Sequence, residues 1–142
     1  MIEGLPARYC DAVMGLTLDD LLRRPVENQW SIAEYVDHVR EVIFGMRFLV
    51  GTAITKAGTD LGKSPSSPFQ PEPRRVEIDV ALTGLEREAT LLLTSLSELS
   101  PSEWRSTVTF DGIEVDPFWI ARHAVHDSTH HLLDIGRLRA AL

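Results

Sequence analysis

With 142 residues, the chain has the length of one domain, 1–142, and enough of it to bury most of its unfolded surface around a single core. Apolar residues make up 44% and charged residues 25%, a globular mixture in which no apolar run approaches the roughly 18 residues of a membrane span. The formal net charge of −7 opposes the attraction that a basic face has for a polyanion, which excludes nucleic acid from the expected partners.

Residues 4–15 read as a first helix, with Pro6 near its start, Tyr9, Ala12, Val13 and Leu16 at helical spacing, and Gly15 as a stop. Cys10, the only cysteine, is expected as a small core residue among them; no internal disulfide is available, and no charged-then-apolar leader is evident. A cytoplasmic protein is therefore expected. Thr17 then caps a short connector, Asp19 to Arg23, which Pro25 ends. Ser31-Ile-Ala-Glu34 fits a capping box and opens the second helix, which runs to about Lys56 on a stripe from Ile32 through Val36, Val39, Ile43, Met46 and Val50 to Ala53. His38 borders that stripe, one turn after Glu34, a candidate to brace its ring.

Gly58 to Pro73 holds four prolines with glycines and serines, so it is a long loop and a candidate lid. The third helix spans about Val76 to Leu99, with nothing on it that reads as catalytic. Thr107 to Val115 reads as two short extended pieces around Asp111-Gly112, a hairpin turn pair. Asp116 and Pro117 supply a cap and a first-turn proline for a fourth helix reaching about Ala140. The pattern is all-α: a four-helix bundle with a long proline-rich loop between its second and third helices.

Four of the five histidines, His123, His126, His130 and His131, fall within nine residues of the fourth helix. His126 and His130 stand one turn apart, a pair whose imidazoles can grip one metal ion, and His38 on the second helix could supply a third ligand. On a helical wheel His123, His126, His130, Asp134 and Arg137 share one sector, with His131 to one side, and His123 and His131 are second choices as ligands. Rings on a face that meets other helices cost desolvation unless they have partners, and a metal is one such partner. The plainer reading is a set of partly buried histidines bonded to Asp127, Asp134 or Glu34. A Ser-His-Asp hydrolase through Ser128 finds no nucleophile elbow. Trp30, Trp104 and Trp119 read as anchors at helix ends, with Trp119 placed to line a pocket beside His123.

The segments Trp30 to His38 and His123 to Arg137 resemble the two signature regions of the DinB-like, or YfiT-like, superfamily. The resemblance extends over nearly the whole chain. It implies a four-helix bundle with three histidines around a divalent metal, zinc or nickel, and residue by residue it points to His38, His126 and His130 as the ligands. It also implies a metal-dependent enzyme acting on a small molecule: a thiol S-transferase with a low-molecular-weight thiol cosubstrate, or a hydrolase. The competing class is a non-catalytic metal-binding or structural bundle acting as a homodimer.

Overall fold

The computed structural model describes residues 1–26, 28–64 and 71–142. Its elements run α1 (Leu5–Val13), α2 (Leu18–Leu22), α3 (Ile32–Thr55), α4 (Ile78–Ser97), a one-turn 3₁₀ helix (Glu103–Arg105), β1 (Val108–Phe110), β2 (Ile113–Val115) and α5 (Pro117–Ala140). The four bundle helices are α1, α3, α4 and α5, and α2 is the expected short connector. Among the described residues no helix is long and apolar enough to cross a membrane.

The two longest helices, α3 and α5, begin where side chains satisfy the orphan amides of a first turn. At α3 the Ser31 hydroxyl accepts the Glu34 amide at 3.2 Å, and the Glu34 carboxylate accepts the Ser31 amide at 2.9 Å. At α5 the Asp116 carboxylate accepts the Trp119 amide at 2.7 Å, and Pro117 occupies the first helical position, where no amide is needed. Replacing Asp116 by alanine is expected to cost about 1 kcal/mol of stability, read from a urea unfolding midpoint.

The core lies between α3 and its neighbours, packed chiefly against α4 and next against α5. Val36, Val39, Ile43, Val50 and Ala53 are fully buried at alternating steps of three, four and seven residues, the periodicity of one helical face. Leu85 and Leu92 of α4 meet them, each burial contributing about 2 kcal/mol. In α1 the buried residues are Leu5 and Tyr9, and the Tyr9 hydroxyl donates to the Ser128 carbonyl of α5 at 2.7 Å. Arg139, near the end of α5, donates to the carbonyls of Asp11 and Ala12 in the last turn of α1. Cys10 is exposed, against expectation, because it sits about 100° round the helix from Tyr9.

The hairpin is present, with Asp111 at φ 53° and Gly112 at φ 79°, the paired left-handed conformations that a two-residue turn of this hand requires. The first part of the long α3–α4 connection lies against it. Gly58 and Leu61 donate to the carbonyls of Thr107 and Thr109, while Thr109 and Asp111 donate back to Thr59 and Gly62. The Asp111 carboxylate also accepts the amide and hydroxyl of Ser64. At the far side of this connection, Arg24 donates to the carbonyls of Pro71 and Glu72. Residues 65–70, which fall within the expected lid, lie outside the described residues.

Candidate functional site

The side chain that fastens the start of α3 is Glu34, only 1% exposed. Its two oxygens accept a bidentate fork from Arg24, and further bonds come from the amides of Arg74 and Ser31. Burial alone would raise its pKa, but these donors outweigh it and bring the carboxyl down from the ordinary value of 4.5 to about 2. Glu34 is thus fully committed and does not brace His38, as the spacing had suggested. One turn further on, Arg74 bridges Asp37 at 2.6 Å and Glu41 at 2.8 Å, and Arg40 holds Asp37 from the same helix.

His38 follows directly, on the side of α3 that meets α5. Its ring lies 4.5 Å from the Trp30 ring and 5.0 Å from the His131 ring, centroid to centroid, the two imidazoles meeting at 78°. Trp30 and Tyr35 wall the place, with Tyr35 5.3 Å from both Trp30 and His131. Burial, then the adjacent His131, push the His38 pKa down to about 4 against the opposite pull of Glu41 and Asp127. The ring is therefore neutral at pH 7, and it makes no hydrogen bond among the described residues. His131 is held differently: its Nδ1 stands 3.3 Å from an oxygen of Asp134, an arrangement that leaves Nε2 as the free lone pair.

The structure separates the expected triad. His126 is 67% exposed at its side chain, and its ring meets those of His123 at 6.3 Å and His130 at 5.1 Å, not that of His38. His126 and His130 do form a one-turn pair, but on the outer side of α5. The reason lies in the buried stripe of α5, Pro117, Ile120, Ala124, Ser128, Ile135 and Leu138. At about 100° per residue, His131 projects within roughly 20° of the centre of that stripe, and His126 roughly 160° away from it. About four turns of the stripe are marked only by small or polar residues such as Ala124 and Ser128, so the histidines' own clustering pointed to the outer face. Asp127, not singled out as a ligand by the sequence, and His131, only a second choice there, stand one turn apart, a spacing that can be read against the core pattern.

Asp127 lies between the two sets of histidines. It exerts an electrostatic pull on His38, and its carboxylate oxygens lie 3.4 Å from His123 Nε2 and 3.5 Å from His126 Nδ1. As the side chains stand, no three His, Cys, Asp or Glu groups among the described residues converge on one point where an ion would sit. Two do come close, since imidazoles sharing a tetrahedral ion at about 2.1 Å have centroids roughly 5 Å apart. The donor chemistry therefore fits: two imidazoles from different helices and a carboxylate one turn before one of them. Ser128 offers no nucleophile, because its buried hydroxyl is committed to the Ala124 carbonyl at 2.6 Å.

The fold is similar to that of a solved structure, YfiT from Bacillus subtilis, described as a probable metal-dependent hydrolase with an unusual four-helix bundle topology. The TM-score is 0.82 at 15% sequence identity, over 99% of this chain and 82% of that one. No curated protein matches the chain. The family model of the DinB superfamily matches residues 1–135, nearly the full length, and the chain belongs to that superfamily.

Proposed function

We propose that the protein is a metal-dependent enzyme acting on a small molecule, with a divalent ion held between α3 and α5 by His38, His131 and Asp127. The observation that carries this reading is the edge-on approach of His38 and His131 at 5.0 Å, with one ring making no hydrogen bond and the other oriented by Asp134. The assignment keeps His38 from the sequence reading and replaces His126 and His130 by the residues that face it. Two nitrogens and one oxygen suit zinc or nickel and leave coordination positions open.

Bound there, a divalent ion would supply Lewis-acid activation of a water or a thiol. The protein's own residues have separate tasks. Trp30 and Tyr35 exclude solvent from one side of the imidazoles, and Asp134 fixes the tautomer of His131. The Arg24–Glu34 fork keeps the first turn of α3, and with it His38, in register against α5.

Hydrolysis is the reaction this reading favours, in keeping with the description of YfiT, and S-transfer from a low-molecular-weight thiol to a small electrophile is the alternative with the same site. The test is elemental mass spectrometry of untagged protein, followed by a screen of esters and amides and of thiol–electrophile pairs. About one zinc or nickel per chain, with turnover abolished by chelation and restored by the metal, is the expected result. A protein that cannot be loaded with any divalent ion would end the enzymatic reading and leave a structural bundle.

A further inference from the structure

The face of α5 turned away from α3 carries a second arrangement that the metal centre does not use. A groove of about 510 Å³ runs there between Leu93 of α4 and Phe118, Ala121 and Val125 of α5, with Ile2 at one side. A recess of about 200 Å³ adjoins it, where Trp119 is stacked on His123 at 4.5 Å and 10°. Arg122 and His126 line both depressions, which makes them one continuous surface with an apolar body and a polar end.

The charge at that end is the distinguishing feature. Arg122 makes no ion pair or hydrogen bond among the described residues; its guanidinium lies 5.8 Å from the Phe118 ring, at the junction of groove and recess. Among the described residues neither depression is lined by a carboxylate, although the chain carries a net charge of −7. Asp127 is the nearby acid, and it lies against His123 and His126 without lining either space. Phe118 stays 60% exposed beside it, an apolar ring left to water unless something covers it.

We infer that this surface binds a small amphiphilic organic anion, an aryl or alkyl carboxylate, with its hydrocarbon in the groove and its carboxylate on Arg122. The volume lies within the range of small-molecule sites, and a guanidinium matches a carboxylate with two parallel hydrogen bonds. Arg122 and the apolar lining of the groove lie apart from His38 and His131, and the surface meets the metal centre only at its polar end, where His123 and His126 stand 3.4 and 3.5 Å from Asp127.

The probe is 4-phenylbutyrate, with the neutral 4-phenylbutanol as its counterpart, titrated calorimetrically into the full chain as purified and again with EDTA present. Saturable one-to-one binding of the acid, unchanged by EDTA, is expected. Arg122→Gln should weaken the acid at least tenfold and leave the alcohol unchanged, while Val125→Glu should weaken both, with circular dichroism confirming that each variant is folded. Absence of saturable binding overturns the inference, as does binding that survives both substitutions or is lost on chelation. Sedimentation that shows two chains paired through this face, and separated by Phe118→Ser, also overturns it, because a second copy would then be the occupant.

Discussion

Alanine at His131 is expected to lower the affinity for zinc by at least about a hundredfold, and alanine at His38 by a similar factor, while alanine at His126 leaves it within about twofold. The contrast follows from the seating of the rings on α5. His131 faces the neutral ring of His38 at 5.0 Å, whereas His126 is 67% exposed on the outer side of the helix. Asp127→Asn should fall between, since it keeps the shape and one oxygen but removes the charge; about tenfold is expected. Competition with a chromophoric chelator gives these affinities, and elemental analysis gives the stoichiometry. Loss of metal from the His126 and His130 variants, with His131→Ala unaffected, would restore the triad read from the sequence.

Glu34→Ala should destabilise the protein by about 3 kcal/mol, because it takes the bidentate carboxylate from the partly buried Arg24 guanidinium and removes a partner from the Ser31 and Arg74 amides. For a chain of this length that corresponds to a fall in Tm of about 10 °C. Its pH dependence is specific. A carboxyl whose pKa drops from 4.5 unfolded to about 2 folded contributes its full stabilisation above about pH 4.5 and loses it as the pH falls towards 2. The 2.5-unit difference is worth about 3 kcal/mol, in agreement with the loss expected from breaking the pair. The deficit of Glu34→Ala relative to wild type, measured by urea unfolding, should therefore be constant from pH 7 to 5 and shrink below that. A deficit that does not change between pH 5 and 3 would show that the carboxylate's charge is not what stabilises the turn. The double variant Arg24→Met, Glu34→Leu should recover part of the loss, since no charge is left buried.

Much of the fold was legible because local chemistry and core periodicity agree. Ser31 with Glu34, Asp116 with Pro117, and Asp111 with Gly112 each marked a boundary that the structure realises. The candidate site was legible only in part. The dense apolar stripe of α3 shows which residues border it, and His38 is one of them. On α5 the buried face is written in Ala124 and Ser128, residues too small or too polar to announce burial, and four histidines on adjoining faces drew attention to the most regular pair. The roles of Arg24 and Arg74 at Glu34 were not legible, because both come from outside α3, one of them 40 residues away in sequence.

The long α3–α4 connection is fastened twice, to different partners: Gly58 to Ser64 lie along the hairpin that leads into α5, and Pro71 to Arg74 are held at Arg24 and Glu34. Each stretch is held by its own hydrogen bonds, to partners the other does not share. The two ends of the connection therefore open as separate local units, one governed by the hairpin and the other by the first turn of α3.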